Sequence, residues 1–130
     1  MPYYHAVTTT TEFEQAVEAV KAALSRHGFG VLSEIDVADT LHKKIGETIP
    51  PYRILGACNP KMAHKALTSE PHIGVMLPCN VIVRRTDNGE TEIAAVDPVA
   101  SMRAVQNPAL ASVAEEVRAS LNQAIDELVK

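Results

Sequence analysis

The sequence predicts an α+β fold: a single-domain two-layer α/β sandwich over residues 1–130, with a mixed sheet and a C-terminal β-hairpin followed by a long C-terminal helix. Three observations predict it. Extended and helical patterns alternate through the first half of the chain. Asn88-Gly89, a pair suited to a tight hairpin, separates two strand-like runs. Apolar residues then recur in alternating steps of four and three from Leu110 to Leu128. With 130 residues, 46% of them hydrophobic and 22% charged, the chain can bury one sizeable core, and it contains neither a linker nor an internal repeat that would divide it.

Tyr3–Thr9 is rich in aromatic, β-branched and Thr residues and reads as a strand. Thr11 with Glu14 has the spacing of a capping box, and Phe13, Val17, Val20 and Leu24 then share one helical face as far as about His27. Gly28 is the stop, since glycine accepts the left-handed backbone of a helix end. Phe29–Val37 alternates as a second strand, with Phe29, Val31, Ser33, Ile35 and Val37 on one side. Ala38–Ile45 reads as a short helix with cationic Lys43 and Lys44 in its last turn and Gly46 as its cap.

Pro50-Pro51 separates that helix from a third strand, Tyr52–Ala57. Asn59 offers a cap and Pro60 a favoured first helical residue for a helix through Leu67, which Pro71 ends. Ile73–Leu77 and Asn80–Thr86 read as extended, and the strand ending near Thr86 returns over Glu90–Val96 through a two-residue turn. The last helix opens at Asn107-Pro108. Its stripe of Leu110, Ala114, Val117, Leu121, Ala124 and Leu128 either covers the domain's own sheet or meets the same helix of a second subunit.

The balance of 12 Lys plus Arg against 16 Asp plus Glu gives a formal charge of −4, and no long basic run attracts phosphates, so nucleic acid is not expected as a partner. No apolar run reaches the roughly 18 residues of a membrane span, and the first residues lack the pattern of a signal peptide. A cytoplasmic protein that does not meet the membrane is the expectation.

Gly28-Phe-Gly, Tyr52-Arg-Ile-Leu-Gly-Ala-Cys-Asn-Pro60 and Gly74-Val-Met-Leu-Pro-Cys-Asn-Val81, in that order, resemble the prokaryotic family known as domain of unknown function 302, DUF302. The resemblance runs from Tyr3 to about Val96. It implies a small α/β sandwich, commonly a homodimer, and implies no established activity and no catalytic residues.

Cys58 and Cys79 are the two cysteines, and in a cytosolic setting reduced thiols are the default. Cys58 lies just ahead of the Asn59-Pro60 helix start, where free N–H groups and the helix dipole favour a thiolate. Cys79 follows Pro78 at the break between two extended runs. Cys58, Asn59, Cys79 and Asn80 are therefore the candidate binding or redox site, although a free cysteine also serves as a small buried hydrophobe. The five histidines match no zinc spacing, so neither a metal nor another cofactor is expected. Glu115-Glu116 and Asp126-Glu127 ride the polar face of the last helix, while adjacent Arg84 and Arg85 point to opposite faces of a strand and cannot grip one phosphate. The expectation is a homodimeric small-molecule or partner-binding module. A thiol-dependent enzyme or redox sensor using Cys58 with Cys79 is the alternative.

Overall fold

The computed structural model describes residues 2–129. The chain runs β1 (Tyr4–Thr9), α1 (Phe13–Arg26), β2 (Gly30–Asp36), α2 (Val37–Ile45), β3 (Tyr52–Cys58), α3 (Pro60–Ser69), β4 (Cys79–Arg85), β5 (Thr91–Val96), α4 (Pro98–Ser101) and α5 (Ala109–Asp126). Short 3₁₀ turns follow α3, at Pro71–Met76, and α5, at Glu127–Val129. The strands form one sheet in the order β1-β5-β4-β3-β2.

Every neighbouring pair in that sheet is antiparallel, which corrects the expected mixed sheet. The reason is topological. β1 and β2, joined through α1, do run the same way, but they occupy opposite edges with three strands between them, so no parallel pair forms.

α1, α3 and α5 pack on one face of the sheet. Leu55, Val81, Val83 and Ile93 point into them and are fully enclosed, as are Val17, Val20 and Leu24 of α1. The stripe of α5 is spent on this core: Leu110, Ala114, Val117, Leu121 and Ala124 are buried within the chain, and Leu128 packs against them. Of the two expected uses of the stripe, the intrachain one is therefore observed. His5 of β1 and Asp126 of α5 close the far end through a 2.7 Å hydrogen bond.

Local chemistry set most ends, with informative exceptions. Glu12, not Thr11, caps α1, its carboxylate accepting from the backbone N–H groups of Glu14 and Gln15 at 3.0 and 3.1 Å. These contacts hold the Glu12 carboxyl below its ordinary pKa. Thr11 is otherwise engaged, with Thr9 through its hydroxyl and with the buried Thr91, whose hydroxyl donates to the Thr11 carbonyl at 2.8 Å. The expected alternation of β2 breaks at a bulge between Val31 and Ser33. Val31 stays opposite helix-facing Ala57, but Ser33 and Ile35 pair with Gly56 and Ile54 on the other face.

The bulge also turns Glu34 toward α1, where it joins Lys21 and Arg53 at 2.6 and 2.7 Å. Arg53 also grips Glu14 at 2.7 Å and lies over the Phe13 ring. Ile73–Leu77 is not extended as expected: Pro71–Met76 forms a 3₁₀ turn that buries Ile73. At the hairpin, Thr86 N–H donates to the Glu90 carbonyl and Gly89 N–H to the Thr86 carbonyl, so the loop is Asp87-Asn88-Gly89, three residues and not two. Gly89, at φ 84°, supplies the left-handed position that this longer loop requires.

Candidate functional site

The ends of β3 and β4 lie side by side, with Ala57 and Cys79 in register. Beyond β3 the chain turns at Asn59, whose side-chain oxygen accepts from the Met62 N–H at 3.2 Å, and Pro60 opens α3. α3 then crosses over the strand ends against α5. Between α3, α5 and the strand ends lies a cavity of about 30 Å³, room for one water-sized group. Its wall is almost wholly carbon and sulfur, with Phe29, Cys58, Met62, Cys79, Met102 and Val117 prominent in it.

The two cysteines sit differently in this cavity. Cys79 shares a face with Ala57 and is 8% exposed. Burial first, and the nearby Cys58 second, push its thiol up to about 11. It is therefore a neutral, protonated group at physiological pH. Cys58 is half-buried at the last position of β3, and the alternation of that strand assigns it to the face opposite Ala57. Both residues reach the cavity because it sits at the margin of the sheet.

Asn59 is a structural cap. By taking the Met62 N–H it occupies one of the helix-start donors that would otherwise favour a Cys58 thiolate. Asn80 belongs elsewhere: it is exposed, in register with Gly56, and borders a groove on the face of the sheet opposite α1, α3 and α5. The structure thus gathers Cys58, Asn59 and Cys79 around one cavity and leaves Asn80 out.

Gly56 makes room for the segment that leads into β4. A Cβ there would come within 2.8 Å of the Pro78 ring, which follows a cis Leu77–Pro78 bond and leads into Cys79. Sequence reasoning missed Met62 and Met102. Met62 lies four residues before buried Ala66 on α3, a helical spacing that could have revealed its inward position. Met102 follows the single turn of α4, and no periodicity marks it.

Among the described residues no group of three or more His, Cys, Asp or Glu is placed to hold a metal ion, and no helix is long and apolar enough to cross a membrane. The family described as domain of unknown function DUF302 matches residues 5–128. The chain belongs to the DUF302 family. A crystal structure of an uncharacterised conserved DUF302 protein from Bacillus stearothermophilus is similar throughout: 28% identity, 95% of this chain and 96% of that chain covered, and a TM-score of 0.89. No curated protein matches the chain. DUF302 membership accounts for the α+β sandwich and carries no assigned activity.

Proposed function

We propose that this DUF302 chain is a cytoplasmic, homodimeric small-molecule-binding module whose pocket is the cavity bounded by Cys58 and Cys79. The observation that carries the reading is the wall of that cavity: apolar and sulfur-bearing, with no acid, base and nucleophile converging on it. As it stands the cavity holds only a water-sized group, so a small molecule enters by moving Met62 and Met102, whose unbranched thioether chains repack readily. Free thiols at both cysteines support the reducing compartment.

A thiol-dependent reaction is the second reading, supported by the partial exposure of Cys58 at the rim. Cys79 weakens it, because a thiol held near 11 does not supply a thiolate at neutral pH. Native mass spectrometry of protein purified without metal-affinity steps tests both. The expected result is a small molecule retained by the wild type and equally by Cys58→Ser. Loss of the ligand on that substitution favours the thiol reading, and protein that retains nothing overturns the binding module.

A further inference from the structure

Antiparallel registers carry residues straight across a sheet, so the face opposite α1, α3 and α5 reads as rows. The central row takes one residue from each strand, in register: Ile35, Ile54, Ile82, Ala94 and Ala6. Beside it runs Tyr52, Arg84, Glu92 and Thr8, again in register. On its other side lie Ser33, Gly56 and Asn80, with paired Val96 and Tyr4 at the β1 edge.

A solvated antiparallel face ordinarily turns polar residues outward. This one presents an aliphatic row with tyrosines and a charge pair beside it, an apolar centre with a more polar rim, as in a protein interface. Ile35 is 47% exposed and Tyr4 45%. A groove of about 400 Å³ runs between Tyr4, Tyr52, Ile82, Arg84 and Glu92.

The central row is graded by size, bulky on β2, β3 and β4 and small on β5 and β1. The charges beside it are balanced: Arg84 and Glu92 lie on adjacent strands, 2.6 Å apart. We infer that this face is where two copies of the chain pair, sheet on sheet, about a two-fold axis running along the strands between β4 and β5. The inference rests on the homodimer reading above and names its surface.

That axis exchanges β4 with β5 and β3 with β1. Ile82 then meets the partner subunit's Ala94, and Ile54 meets the partner subunit's Ala6, so large residues face small ones and the layers interdigitate. Arg84 faces the partner subunit's Glu92, and the converse pair forms by symmetry. A neutral face with this internal complementarity suits its own copy better than a strongly charged partner.

Four strands at about 4.8 Å spacing and six residues at about 3.3 Å rise give a projected patch of roughly 400 Å² per copy. Pleating and the tyrosine rings raise the accessible area, bringing the pair to about the 1,000 Å² that specific interfaces clear. The α5 stripe, the other apolar surface with a pairing repeat, is already occupied by the core.

Sedimentation velocity over a concentration series tests the inference, with circular dichroism as the check on folding. Wild type should be a dimer that dissociates on dilution. Ile82→Glu should remain folded and weaken association by about tenfold or more. Arg84→Glu should also weaken it, and adding Glu92→Arg should restore it. If Ile82→Glu fails to fold, the charge reversal and its rescue decide the matter. A dimer untouched by these substitutions overturns this surface and leaves the homodimer reading standing. A wild type that stays monomeric at high micromolar concentration, including one that carries a small molecule in the groove, overturns both.

Discussion

The two faces of the sheet are built from the same strands and serve different ends. On the helix side Leu55, Val81, Val83 and Ile93 are locked among α1, α3 and α5; on the other side Ile35, Ile54 and Ile82 stand half-buried or exposed. One residue of chain separates the two environments. The run Val81-Ile82-Val83 consequently loses the apolar–polar alternation of a strand wetted on one side and resembles the continuous apolar strands of sheets covered twice.

The largest expected contrast comes from truncating one residue behind each face. Leu121 of α5 is 0% exposed, and Leu121→Ala should cost about 2–5 kcal/mol in denaturant unfolding. Ile82→Ala, measured at concentrations where the chain is monomeric, should cost less than about 1.5 kcal/mol, because its side chain gives up fewer contacts. Equal losses would break the distinction between the faces.

A second test addresses the covered face at its margin. Burial raises the Cys79 thiol from the ordinary 9.0 to about 11. A raised folded-state value means that its contribution is fully present below pH 9.0 and is lost as pH rises through about 11. Wild type should therefore lose more stability than Cys79→Ala between about pH 8 and pH 10.5, by on the order of 2 kcal/mol. Parallel denaturation curves for the two proteins check this, and identical alkaline slopes would contradict it.

The smallest effect is expected where β2 borders the covered face. The Lys21 and Arg53 hydrogen bonds hold the Glu34 carboxyl below its ordinary 4.5. A depressed value contributes above that pH and disappears as pH falls through the folded-state value. Glu34→Gln should cost under about 1 kcal/mol at neutral pH, since the carboxylate is partly solvated, and should converge with wild type in acid. Thermal unfolding across an acidic pH series would show the convergence or its absence.

Elements governed by neighbouring residues were legible in the sequence. Asn59-Pro60 begins α3, and the apolar spacing of α5 marks the residues it buries. Features decided by distant partners were not. Thr11 has the spacing of a cap, yet Thr91, eighty residues away, draws on its carbonyl while Glu12 takes the capping role. The β2 bulge is fixed by pairing with β3, so simple alternation put Ser33 and Ile35 on the wrong face. At the candidate site, the same alternation separates Asn80 from Cys79, its neighbour in sequence, whereas Met102 comes to the cavity from another part of the chain.

The opposite-edge positions of β1 and β2 bear on how the chain assembles. β1 is made first, yet its hydrogen-bonding partner is β5, the last strand synthesised, with Tyr4 meeting Val96. On the ribosome the opening strand must wait, unpaired, until nearly the whole sheet exists. Such long-range closure slows folding and leaves an early adhesive segment in need of protection. A nascent chain arrested before Thr91 has no place to dock its N-terminal strand.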